Sequence, residues 1–472
     1  MKRINVKYLY IFLSVFFILF LARGTHWIFW LFKRVNFDEI AIVLSAGTGA
    51  GVDPALTKSF INEVVLLAAL GGLILAVLCY VLRSKKFIIP CVYLACCAVL
   101  IFELCVSNVQ FGSFVNFSKS NFYESEYVAA EDVKISWPEK RNVLCIALES
   151  MEKAYSNPEI DWGDGILTPE IAKLEKQHKS FTGYHAITGL THTIAAITGF
   201  TTGLPLFHTR FRKIEKMMGV KNGLGTIMKK NGYQTWSMFA ASGSFSLKSN
   251  FMRRMGFENV IDGPEIYAKL DNPPETKPFG GVDDGVFFDW SKPVIADIVK
   301  SGKPYFIFME TVNTHLDGYY TEYCRNIGFK QETMADITKC DDKIIGDFVK
   351  WFQQIDPSAV IILVDDHNQT AGALMDTLQH IENRPLANVF INTNVFDGAD
   401  LNRPVSAFDF FPTIIEAAGA KIDGCRLGLG TSLTTRCQSV KTLRERYTDE
   451  DLDKSLQQKN DLYFYLNTGQ KR

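Results

Sequence analysis

No charge imbalance marks this sequence: 50 lysine and arginine residues stand against 51 aspartate and glutamate residues in 472 positions. Nucleic-acid binding leaves a basic patch or stripe, and this balance points to none. Internal repeats and low-complexity tracts are also missing, which argues against a solenoid or a long biased tail. Cys324, Cys340, Cys425 and Cys437, the cysteines in polar sequence, show no Cys-x-x-Cys spacing, so a structural zinc site is not expected.

What is present is unevenly spread, with three long apolar stretches in roughly the first hundred positions and globular sequence after them. Val64 to Leu82 carries no charge, has about the length that crosses a hydrocarbon core of roughly 30 Å, and is closed by Arg83, Lys85 and Lys86. Phe87 to Val106 follows, broken only by Glu103. Tyr8 to Ala22 is short for a span by itself, and Trp27-Ile28-Phe29-Trp30 beyond it reads as an interfacial aromatic belt. A cleaved signal peptide is the rival reading, because Lys2, Arg3 and Lys7 precede an apolar core and Ala22-Arg23-Gly24 imitates a small-residue cleavage site. With those three cations inside, three spans leave the C-terminal domain on the extracytoplasmic side. The expected organisation is a transmembrane region over 1–107, a polar, aromatic-rich connector over 108–140 that packs on the domain or the lipid surface, and a domain over 141–472.

Cysteine usage fits that placement. Cys79, Cys91, Cys96, Cys97, Cys105 and Cys145 lie in or beside apolar runs and behave as small hydrophobes. The four in polar sequence of an exported domain suggest disulfides, paired as Cys324 with Cys340 and Cys425 with Cys437.

From Arg141 onward, short apolar runs alternate with helical patterns, as in Gly223 to Lys230 followed by Tyr233 to Phe239. Further strands are expected at Tyr305 to Thr311, Ala359 to Val364 and Asn388 to Asn392, and helices at Thr333 to Gln353 and Phe408 to Ala418. The fold class is therefore α/β: N-terminal transmembrane helices, then a mostly parallel sheet flanked by helices.

Three strand ends carry the chemistry. Ala359-Val360-Ile361-Ile362 runs into Leu363-Val364-Asp365-Asp366-His367, placing a carboxylate beside an imidazole where a parallel sheet holds a cation. Asn142 to Leu148 ends in Glu149-Ser150, and Tyr305 to Met309 leads into Asn313-Thr314-His315. Taken alone, Glu149 would serve equally as a helix N-cap, Asp366-His367 as turn residues and His315 as a structural loop residue. The run Thr188 to Pro205 reads as a loop entering a small-residue helix; a hydroxyl at its start, from Thr191 or Thr193, is either a cap or a nucleophile favoured by the helix dipole and a cation.

These ordered motifs, over roughly Asn142 to Leu433, resemble the alkaline phosphatase and sulfatase superfamily. Within it they are similar to the membrane-anchored phosphoglycerol transferases, which include lipoteichoic acid synthase and the periplasmic glucan phosphoglycerol transferase. Asn142 to Ser150 looks like the first strand and metal-binding glutamate; Thr193-Ile194-Ala195-Ala196 with Gly203-Leu204-Pro205-Leu206 is similar to the nucleophile segment. Asn313 to Tyr319 looks like the substrate-site histidine loop, Asp366-His367-Asn368 like the metal-binding pair, and Phe408 to Thr413 like a structural segment.

The resemblance implies a sulfatase-like fold and one divalent cation, Mn²⁺ with Mg²⁺ or Zn²⁺ as alternatives, on Glu149, Thr193, Asp366 and His367. It implies that Thr193 is the nucleophile and His315 a phosphate-binding or proton-carrying group. The implied reaction takes phosphoglycerol from phosphatidylglycerol to a glycan or glycolipid acceptor at a bacterial cytoplasmic membrane. Phosphoethanolamine transfer is the nearest rival; a sulfatase-like hydrolase and a non-catalytic envelope-assembly protein stand further off. A sulfatase of the usual type needs a Cys or Ser in a Cys-x-Pro-x-Arg-like segment, where this chain has Thr193-Ile194-Ala195-Ala196-Ile197.

Overall fold

The computed structural model describes residues 6–32, 58–85, 87–107, 119–207, 223–275, 278–315, 318–369 and 372–469. These fall into two compact units, one from the first three stretches and one from residue 119 onward.

The first unit holds α1 (Val6–Phe32), α2 (Leu67–Val81) and α3 (Ile88–Val106). Three helices here are long and apolar enough to cross a membrane, the second of them beginning at Lys58, ahead of α2. The first differs from expectation: it does not stop at Ala22 but runs unbroken through Arg23-Gly24-Thr25-His26 and on through Trp27. Trp27 thus stacks edge-on against Phe60, at 5.3 Å between ring centroids, and its indole donates to Ser59 Oγ at 2.9 Å. Glu103, the one charge in the third stretch, faces His26 Nδ1 at 3.1 Å. Gly72 lets α2 approach α1, since a Cβ there would sit 3.3 Å from the Phe16 backbone.

The second unit is built on six strands: β1 (Val143–Leu148), β2 (Gln234–Phe239), β3 (Asn259–Ile261), β4 (Tyr305–Glu310), β5 (Val360–Asp365) and β6 (Asn388–Ile391). Their spatial order is β3-β2-β4-β1-β5-β6. All pairings are parallel except β5 with β6, which is antiparallel. The reversed edge was not foreseen, because apolar periodicity reports burial and not direction.

The near-continuous apolar strands fit a sheet covered on both faces. Val143, Cys145 and Ala147 enter one core and Leu144, Ile146 and Leu148 the other; Phe306 and Phe308 divide from Tyr305, Ile307 and Met309 in the same way. α4 (Thr193–Thr202) and α7 (Ala407–Ala417) cover the first face, and α5 (Asp284–Lys300) and α6 (Met334–Ile355) the second. Gly199 sets the close contact of α4 with α7, since a Cβ would lie 3.0 Å from that of Ala407.

The described part of the 108–140 segment is built into this unit. Phe122 and Tyr123 are buried in the first core, and Ile135–Ser136 pairs antiparallel with Lys421–Ile422. Disulfides join Cys324 to Cys340 and Cys425 to Cys437.

Phe410 on α7 is fully buried with its ring centroid 4.7 Å from Tyr184, 5.9 Å from Phe200 and 5.8 Å from Phe390. Phe410→Ala should therefore destabilise the second unit by about 3–5 kcal/mol. Urea denaturation of the detergent-solubilised protein, followed by tryptophan emission, measures this; a change below about 1 kcal/mol contradicts the packing described.

Candidate active site

The register of the central strands levels their polar ends. Leu148 lies opposite Asp365 and Ala147 opposite Glu310, so Glu149, Glu310 and Asp365-Asp366-His367 emerge together at the carboxyl edge. Just past Glu149, Ser150 adopts a left-handed conformation with φ 51°, which costs a non-glycine residue about 1–2 kcal/mol. Specific bonds hold it there: its N–H donates to Asp366 Oδ1 at 2.9 Å, its hydroxyl to Glu149 Oε1 at 3.0 Å, and the next N–H, of Met151, to Asp365 Oδ1 at 2.7 Å. Glu149 therefore caps no helix.

Ligand atoms of Glu149, Asp366 and His367 all lie within 4.8 Å of one another. His367 Nε2 is 3.4 Å from Glu149 Oε1 and 3.5 Å from Asp366 Oδ2. Asp366 Oδ1 accepts from Ser150 N and from His367 N, whereas its Oδ2 is buried with no hydrogen-bond partner. Burial, then the neighbouring Glu149 charge, pushes the Asp366 carboxyl up to about 6. Two buried carboxylates and an imidazole with an unsatisfied oxygen aimed among them fit a divalent cation of the Mn²⁺, Mg²⁺ or Zn²⁺ kind.

Thr193 is the first residue of α4, with its hydroxyl 3.1 Å from Glu149 Oε2 and 3.3 Å from His367 Nε2. The cap position falls to His192, whose carbonyl accepts from Ala195 and Ala196. So neither Thr191 nor Thr193 occupies the cap, and the Thr193 hydroxyl is bonded to the ligand cluster.

His315 sits on the loop after β4. Glu149 is tied to that loop twice: its N–H donates to Thr311 Oγ1 at 2.9 Å, and its carbonyl accepts from Thr314 Oγ1 at 2.5 Å. The His315 ring packs edge-on against Phe279, 4.4 Å between centroids. Beneath the loop, Asp284 accepts from the N–H groups of Val312 and Asn313, and Asn313 Nδ2 donates to Asp341 Oδ1 at 3.2 Å. Of the loop motif, residues 316–317 lie outside the described residues.

Sequence reasoning missed two groups beside the cluster. Glu310 ends β4, buried, with its Oε1 bound by the buried Lys248 ammonium and its Oε2 without a partner. Burial raises its carboxyl to about 7, with Lys248 pulling the other way. Glu310 was visible as an acid closing an apolar strand; Lys248 carried no signal, because only the fold brings it there.

A family model described as Sulfatase matches residues 141–420. Phosphoglycerol transferase I of Escherichia fergusonii is 27% identical over 251 residues, 49% of this chain and 32% of that protein. The chain thus spans about a third of the length of the curated relatives it matches. Two solved structures share the fold. A protein in the alkaline phosphatase superfamily from Vibrio parahaemolyticus has a TM-score of 0.51 at 18% identity, covering 66% of this chain and 76% of that one. The integral membrane lipooligosaccharide phosphoethanolamine transferase A (EptA) from Neisseria meningitidis has a TM-score of 0.51 at 13% identity, covering 90% and 87%.

The acid pair under the His315 loop has a pH signature. Burial pushes Asp284 up to about 7 and, together with the Asp284 charge, raises Asp341 well above the usual carboxylate range. A carboxyl whose folded pKa is raised above its unfolded value, about 3.9, destabilises the fold progressively as pH rises through the folded pKa. In Asp341→Asn the new amide would donate to Asp284 and still accept from Asn313. The unfolding midpoint of this variant relative to wild type should therefore rise between pH 5 and about 8, as thermal unfolding across that range would report. A difference independent of pH contradicts the raised carboxyl pair described here.

Proposed function

Because the chain belongs to the sulfatase family, we propose that it is a membrane-anchored, metal-dependent transferase moving phosphoglycerol from phosphatidylglycerol to an extracytoplasmic glycan or glycolipid. The observation that carries this reading is the Thr193 hydroxyl, set within 3.3 Å of both Glu149 and His367 at a helix start. Threonine at this position supports phosphoryl transfer over sulfate-ester hydrolysis of the formylglycine type. The name of the relatives, phosphoglycerol transferase I, supports the transferred group.

A divalent cation, Mn²⁺ in this reading, held by Glu149, Thr193, Asp366 and His367 would lower the pKa of the hydroxyl and screen the phosphoryl oxygens. The Thr193 hydroxyl points its hydrogen toward Glu149 Oε2, so its proton leaves in that direction as Oγ1 attacks phosphorus. The Oγ1–P bond forms as the P–O bond to diacylglycerol breaks, and the departing oxygen takes a proton from His315. An acceptor hydroxyl then gives its proton to His315 and attacks phosphorus: the acceptor O–P bond forms as the P–Oγ1 bond breaks, and Oγ1 takes back the proton left on the Glu149 side, restoring Thr193. At the first position of α4, Thr193 also lies at the positive end of a helix dipole, which favours the oxyanion.

Three spans suit a donor that stays in the bilayer, and Lys2, Arg3 and Lys7 on the cytoplasmic side direct the catalytic unit outward. The two disulfides support the same side, where thiols oxidise.

Intact-mass analysis of the purified protein with phosphatidylglycerol and Mn²⁺ tests the reading. The expected result is a glycerophosphate-sized adduct that chelator abolishes and Thr193→Ala lacks, with His315→Ala slowing its formation by about 10²–10⁴. An adduct from phosphatidylethanolamine alone would keep the transferase and replace the headgroup. No adduct from either lipid would turn the assignment toward a hydrolase or a non-catalytic envelope role.

A further inference from the structure

The loops that carry the cation ligands are tied together at a second level. Glu152 follows Glu149 on one loop, and Gln369 follows His367 on the other. Glu152, 1% exposed, accepts from Gln369 N through Oε1 at 2.7 Å. Arg384 grips the same carboxylate from the far side, with Nε donating to Oε2 at 2.8 Å and Nη2 to Oε1. That Nη2 also donates to the Gln369 carbonyl at 2.5 Å, and the Arg384 carbonyl accepts from Asn368 Nδ2 at 2.9 Å. Backbone pairing next to it, Lys153 N to Pro385 O at 3.0 Å, fixes the segment against the first loop. One guanidinium thus contacts both ligand loops and neither ligand.

We infer that Arg384, acting through Glu152 and Gln369, is a positioning residue that sets the spacing of Glu149 against His367 and thereby the affinity for the cation. The inference rests on the cation site proposed above. Its physical basis is the planar fork: two parallel donors on one carboxylate and a shared donor on a carbonyl fix direction as well as distance. An ammonium in the same place keeps the charge but loses that geometry. Like charge adds to the need, since Glu149, Glu152, Asp365 and Asp366 crowd one strand edge and would spread without a fixed cation among their backbones. Partners of this kind behind metal ligands typically carry about 10–100-fold in metal affinity.

The test is calorimetric titration of the full-length apo-protein in detergent with Mn²⁺ alone, alongside its thermal unfolding without metal. Arg384→Met should weaken Mn²⁺ binding by about 10–100-fold, and Arg384→Lys should recover part of the loss. Glu152→Gln leaves an acceptor for Gln369 N but removes the charge, and should weaken binding as well; it decides the matter if Arg384→Met fails to fold. Variants that unfold at lower temperature yet bind Mn²⁺ within about twofold of wild type overturn the inference and leave Arg384 a structural residue only. Wild-type protein that binds no Mn²⁺ overturns the cation site and this inference with it.

Discussion

Repulsion between two buried carboxylates organises the second unit of this protein. Glu149 and Asp366 present oxygens within 4.8 Å of each other, at 2% and 1% exposure. At an effective dielectric constant of about 20, two full charges at that distance oppose each other by roughly 3–4 kcal/mol. A fold that evolved only for stability has no use for such a pair. Every nearby feature makes sense as a means of holding it: the left-handed Ser150, the N–H groups donated to Asp365 and Asp366, and the Glu152–Arg384 ion pair beneath.

Strand order determines which groups can meet there. Because β1 lies between β4 and β5, the acid after β1 has an acid-histidine pair on one side and the His315 loop on the other. Parallel direction brings all three ends to the same edge, and helices cover both faces of the sheet. The fourth contributor, α4, comes from the layer above one face. Gly199 lets it lie close to α7.

How far the sequence disclosed this depends on the range of the interaction. Leu363 to His367 and Leu144 to Glu149 are contiguous, so an apolar run ending in a ligand type was readable directly, as were the long helices around Thr333 to Gln353 and Phe408 to Ala418. The near-neighbour disulfides were readable for the same reason. Arg384 and Lys248 were not, because each meets its carboxylate partner only after the chain has crossed the sheet, and a lone cation in a polar stretch looks like any solvated one. Asn259–Ile261 was too short to show a period, and the reversal of β6 is a matter of connection, which side-chain pattern does not encode.

The threonines of α4 show that position in a helix, more than residue type, decides between structure and chemistry. Thr198, Thr201 and Thr202 are buried and each returns its hydroxyl to the carbonyl four residues before, at 2.7, 2.6 and 2.7 Å. Inside a helix the carbonyl of the preceding turn is a ready acceptor, and it ties up the proton of the hydroxyl. Thr193 stands at the first helical position, where no preceding turn exists to supply that carbonyl. Its hydroxyl must find a partner outside the helix, and the partners the fold supplies are Glu149 and His367. With His192 holding the cap, the Thr193 hydroxyl faces the ligand cluster, so the nucleophile proposed here is oriented by helix position before any substrate binds.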